Sequence, residues 1–169
     1  MIHVIKGVLS YPNIFQDSLY KKDNNDWTSL YAACVKGNIE IVNLLLSYSE
    51  IRHEVRNMTN NNGMTPLYIA CERGHLEIVK LLLSYPEIVQ DVGNLPTKIG
   101  TTPLSISCKK GYLEITNLLL LCPEIFEQSG NMSNSYGCTP LYNACENGNL
   151  EIVRLLLSKV LEVNLIKKI

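Results

Sequence analysis

Residues 63–88 read GMTPLYIACERGHLEIVKLLLSYPEI, and the chain keeps returning to this text. Copies headed by Asp26, Gly63, Gly100 and Gly137 follow one another at a constant interval of 37 residues. An unbroken period of that size marks a stack of similar units, each leaning on its neighbours, rather than one core folded about a centre.

Each copy reads as two short helices in a hairpin. Thr65 offers a hydroxyl to the free N–H groups of a first turn, and Pro66 fits the first helical position because it has no N–H to leave unpaired. The pattern through Leu67, Ile69, Ala70 and Cys71 breaks at Gly74, where a left-handed helix end would let the chain turn back at once. Glu77 then falls in the first turn of a second helix, where a carboxylate suits the positive end of the dipole. Ile78, Val79, Leu81, Leu82 and Leu83 make an apolar surface too wide for one partner. A hairpin of this size needs a neighbour on either side.

The pattern G-x-T-P-L-x-x-A-x-x-x-G-x-L-E-I-V-x-L-L-L, carried four times in register over residues 26–158, resembles the ankyrin repeat. The resemblance implies an all-α helix-turn-helix solenoid in four units, 26–62, 63–99, 100–136 and 137–158. Residues 5–14, IKGVLSYPNI, match the end of a second helix, so 1–14 reads as a partial N-terminal unit: a truncated cap or a piece of a longer array. Residues 159–169, KVLEVNLIKKI, read as an amphipathic segment that could cover the other end. The sequence departs from the family in three ways. Its usual histidine after Thr-Pro-Leu is replaced by Tyr31, Tyr68, Ser105 and Tyr142. Its glycine after the second helix is replaced by Ser49, Pro86 and Pro123, so the exit from that helix must differ. The unit is 37 residues rather than the usual 33, which puts the extra four in a lengthened loop between units.

With 15 basic and 16 acidic residues the net charge is −1, which excludes the strongly basic field that nucleic-acid binding needs. The apolar runs are far shorter than the roughly 18 residues of a membrane span, and no secretory leader is recognisable, so the expectation is an intracellular, cytoplasmic or nuclear protein, monomeric, without membrane insertion. Cys34, Cys71, Cys108 and Cys145 recur at the unit spacing in a small-residue slot of the first helix. Helices packed about 8–10 Å apart stand beyond the roughly 7 Å reach of a disulfide, so all four are expected to be buried, reduced core thiols; Cys122 and Cys138 fall outside this register. Ser105, Ser107 and Thr116 turn three core-facing slots of unit three polar, which makes that unit the first expected to open.

No catalytic constellation stands out. His3, His53 and His75 have no partners at metal-ligand spacing; by the resemblance His75 is a structural turn residue. Asp23, Asn24 and Asn25 lack the glycine and glutamate of a calcium loop, and no phosphate loop or nucleophile elbow occurs. Neither an enzymatic activity, a cofactor, a metal nor a small-molecule substrate is implied. Asn57-Met58-Thr59 and Asn131-Met132-Ser133 fit the glycosylation pattern, without consequence in an intracellular protein.

Surface is what varies from unit to unit. The resemblance implies protein contacts through a concave face and its loop fingers. Carried over, the finger residues are Asn24, Asn25 and Trp27; Asn61, Asn62 and Met64; Lys98, Ile99 and Thr101; and Ser135, Tyr136 and Cys138. The first-helix pairs are Val35-Lys36, Glu72-Arg73, Lys109-Lys110 and Glu146-Asn147. Trp27, Met64, Arg73 and Tyr136 lead, since aromatic, methionine and arginine groups are the usual anchors of interfaces. Trp27 either stands exposed or packs on the neighbouring loop. The alternative is a structural spacer, or a fragment of a larger protein whose activity lies outside this chain.

Overall fold

A computed structural model describes residues 21–47, 58–86, 88 and 95–166, the last five as backbone. The partial unit at 1–14, His3, His53, Ser49 and the tail beyond 166 lie outside the described residues.

Nine helices are bounded among the described residues, with no strand. They are α1 (Ser29–Lys36) and α2 (Ile39–Leu46), α3 (Pro66–Arg73) and α4 (Leu76–Leu83), α5 (Pro103–Lys110) and α6 (Leu113–Leu120), α7 (Pro123–Ser129), α8 (Pro140–Glu146) and α9 (Leu150–Ile166). First helices pack in file, α1 on α3 on α5 on α8, and second helices form a parallel file, α2 on α4 on α6 on α9. The chain is the all-α solenoid that its period requires.

The local signals act as expected. Thr28, Thr65, Thr102 and Thr139 each precede a first helix in extended backbone and accept from the N–H three residues on, at 3.0–3.2 Å. Replacing the histidine therefore leaves this cap intact, because it uses the backbone of Tyr31, Tyr68, Ser105 and Tyr142 rather than a side chain. Gly74 turns at φ 75° and donates to the carbonyls of Ala70 and Cys71. A glutamate stands in the first turn of every second helix.

Between the two files lies one continuous core. Leu82 and Leu119 are wholly buried, as are Cys34, Cys71 and Cys108. The polar slots of unit three are buried too, but paired: Thr116 Oγ1 donates to Ser107 Oγ at 3.0 Å, and Ser107 Oγ donates to the Leu104 carbonyl at 2.9 Å.

Two expectations are corrected. Cys145 is exposed, unlike its three equivalents. Its cover in the earlier units is the first helix of the following unit, and none of the described residues follows α8 in that file. Residues 159–166 continue α9, and Leu141 and Tyr142 stand exposed beside Cys145.

The long inter-unit segment is also not all loop. The second helix ends right-handed at Leu121, and Pro123 opens α7 within two residues. Ile125 anchors α7 in the core, against α5 and α6. Pro86 and Ile88, the equivalents in unit two, are helical as well, with Ile88 buried. The signal was present in Pro-Glu-Ile, a proline at the first helical position with a carboxylate behind it.

Candidate protein-binding surface

Each first helix is entered through a short finger, and the fingers are built alike. Asn60 N–H donates to the Met64 carbonyl at 3.1 Å and Gly63 N–H to the Asn60 carbonyl at 2.9 Å. The Asn60 side-chain oxygen closes the turn from within, accepting from the N–H groups of Asn62 and Met64. Asp23 and Asn134 do the same in their fingers, and Thr97 Oγ1 accepts from Thr101 N–H. Sequence reasoning missed this set. Its signal was an oxygen-bearing side chain three residues before the head of every copy, the pattern of an Asx turn. Neighbouring fingers are tied by backbone: Lys98 N–H donates to the Asn62 carbonyl and Ser135 N–H to the Ile99 carbonyl, both at 2.9 Å.

At the finger tips Asn24, Asn25, Asn61, Asn62, Lys98, Ile99, Ser135 and Tyr136 are exposed, Tyr136 most of all at 76%. Trp27, Met64 and Cys138 are half-buried at the finger bases. The Trp27 ring lies 5.2 Å from that of Tyr31, so it packs rather than standing free. Tyr31 O–H points to the Met64 sulfur at 3.5 Å and accepts from Asn60 Nδ2 at 3.1 Å. Thr101 is a correction. It is buried, 7% exposed, whereas Trp27, Met64 and Cys138, held by the same turn in their fingers, are half-buried. It offers little to a partner.

At the far end of the first helices Lys36, Arg73, Lys109, Lys110, Glu146 and Asn147 are exposed, while Val35 and Glu72 are half-buried. Asn147 Nδ2 donates back to the Asn143 carbonyl at 2.9 Å, and Glu146 accepts from Tyr142 O–H at 3.1 Å. His75 has the structural place expected of it. It precedes α4, its Nε2 stands 3.4 Å from the Val35 carbonyl oxygen, and its ring lies against Gly37. Tyr112 and Asn149 lie in the same way against Gly74 and Gly111. The site residues thus form two rows, finger tips and last turns, with half-buried residues supporting them.

Burial keeps the thiols of the described core protonated. Burial pushes the thiols of Cys34 and Cys108 up to about 12 and that of Cys71 higher still; a buried neutral thiol is inert. Burial, reinforced by Glu72, pushes the Tyr31 hydroxyl up to about 12. Among the described residues no three His, Cys, Asp or Glu side chains converge as a metal site. No helix among them is long and apolar enough to cross a membrane. An open groove between α2 and α4, lined by Ile39, Asn43, Glu77 and Lys80, gathers no convergent chemistry.

No curated protein matches the chain. A family model of ankyrin repeats in three copies matches residues 3–92 and again 88–167. Those two matches span most of the chain and agree with the file of capped hairpins, so the protein belongs to the ankyrin repeat family.

Proposed function

We propose that this chain is a non-enzymatic binding module that docks a protein partner across its finger tips and the last turns of its first helices. Ankyrin repeats are in general protein–protein interaction modules. The observation that supports this surface is where the variation falls. The capping threonines, turn glycines and core leucines repeat from unit to unit, whereas the exposed tips and last turns are less constant: Asn24-Asn25 and Asn61-Asn62 against Lys98-Ile99 and Ser135-Tyr136, and Lys36 and Lys110 against Arg73 and Asn147. A rigid frame with variable exposed positions is the form of a recognition surface. In this reading the units are 26–62, 63–99, 100–136 and 137–158, and the chain works as an intracellular monomer without cofactor, catalysis or nucleic acid.

Binders selected from a random peptide library, with their footprint mapped by hydrogen exchange, test it. Protection of the fingers and of α1, α3, α5 and α8 is the expected result. Protection confined to the second helices would overturn the assignment.

A further inference from the structure

Two rows of like charge repeat along the stack, which the near-neutral total conceals. Every second helix opens with a glutamate: Glu40, Glu77, Glu114 and Glu151. Lys80 and Arg154 of these helices turn back onto it, 2.8 Å from Glu77 and 3.6 Å from Glu151. The last turns of the first helices α1, α3 and α5 carry the opposite sign. Lys36, Arg73, Lys109 and Lys110 fill their last turns, all exposed, and none has an ion-pair partner among the described residues. A last-turn cation offsets the negative end of its own helix. That role accounts for one charge per helix but not for the pair Lys109-Lys110, nor for Lys98 on a finger.

Lys36, Arg73 and Lys110 hold the same place in successive units, one above another on packed helices about 8–10 Å apart. That interval is close to the Debye length at physiological ionic strength, so the three act on a partner as one strip. A polyproline-II chain repeats every three residues with a rise of about 3.1 Å per residue. Its side chains therefore recur on one face at about the interval of the helices. Resting on the protein-binding reading above, we infer that the partner's docking segment is an extended acidic peptide with a carboxylate at every third residue, laid across α1, α3 and α5 so that its carboxylates meet Lys36, Arg73 and Lys110. Glu72 on α3 and Glu146 at the end of α8 lie in the row beside the strip. A continuous polyanion such as RNA would be forced against them, whereas spaced carboxylates would not.

Fluorescence anisotropy with the full chain tests the inference. The probes are a labelled peptide of repeated Glu-Pro-Ala triplets and one of the same composition with its glutamates gathered at one end. The triplet peptide should bind about tenfold tighter than the gathered one, and should weaken with added salt, as charge complementarity requires. Neutralising the strip with Lys36→Gln, Arg73→Gln and Lys110→Gln should cost about tenfold in affinity with helicity unchanged. Neutralising the other side with Lys80→Gln and Arg154→Gln should cost nothing. No binding of the triplet peptide, equal binding of the two peptides, or tighter binding of a single-stranded RNA would each overturn it. Library binders that protect the first helices but lack acidic residues would overturn this inference and leave the protein-binding reading standing; library binders protecting only the second helices would remove both.

Discussion

Gly100 passes so close to Asn134 of the next finger that a Cβ on the glycine would stand 3.0 Å from the Asn134 Cα. Gly137, at the same place one unit on, has nothing within 4 Å of that point. Both are left-handed, at φ 82° and 77°. Gly137→Ala should therefore carry only the backbone cost, about 1–2 kcal/mol. Gly100→Ala should cost more, by about 1 kcal/mol or above, because backbone rather than a flexible side chain must give way. Urea unfolding of the two variants measures the difference, and equal midpoints would mean that the fingers do not rest on each other.

The Ser107–Thr116 pair of unit three replaces the Ala–Val of Ala33 and Val42, and of Ala70 and Val79. Ser107→Ala alone would leave the buried Thr116 hydroxyl only the Cys108 thiol beside it and should destabilise by about 1 kcal/mol. Adding Thr116→Val should restore most of that loss, since removing both members of a buried pair is nearly neutral. A double-mutant cycle with additive losses would show that the two hydroxyls are not coupled.

Asn143 is 4% exposed, and its side-chain amide makes no hydrogen bond among the described residues. Its equivalents Ile69 and Ile106 are buried hydrophobes. Asn143→Leu, which nearly keeps the shape, should raise stability by about 1–2 kcal/mol. A lowered melting temperature would show that the amide supports the fold.

Thiol reactivity should divide by position in the stack. Cys145 is exposed and Cys138 half-buried, whereas Cys34, Cys71 and Cys108 are wholly buried. An aromatic disulfide reagent under native conditions should label Cys145 fastest and the three core thiols only as fast as the units open. A Cys145 as slow as Cys71 would mean that the end face is covered in solution.

The same buried groups set an alkaline limit. Cys34, Cys108 and Tyr31 titrate near 12 in the fold, with Cys71 and Tyr68 above that, all because burial disfavours the charged form. Unfolded cysteine and tyrosine lose their protons near about 8.5 and 10. Above those values the unfolded chain binds fewer protons than the folded one, so stability falls as pH rises. The contribution of these groups is intact below about pH 8.5 and should be lost progressively towards pH 12. Melting temperatures between pH 8 and 11 test this: the descent should be shallower in a Cys34→Ala, Cys71→Ala, Cys108→Ala variant, and an unchanged slope would refute it.

The amino-acid sequence by itself determined the period, the capped hairpin and the identity of the core leucines. Those depend on interactions within a few residues and on a surface that must be covered whatever covers it. Thr65, Pro66 and Gly74 could be assigned from their neighbours in the chain, and Leu82 from its repetition. The exposure of most candidate residues was legible for the same reason, since residues that vary among fixed ones must be those the frame does not need. Thr101 was not: its counterparts Trp27, Met64 and Cys138 are half-buried in the same turn, whereas Thr101 is buried. Nor was the exposure of Cys145, whose local text matches that of its buried equivalents.

Tertiary structure alone decided these end effects and the ties between neighbouring fingers. Each depends on what stands one unit away. A repeated sequence states what every unit offers to its neighbours, but a residue is buried only where a neighbour is present to cover it.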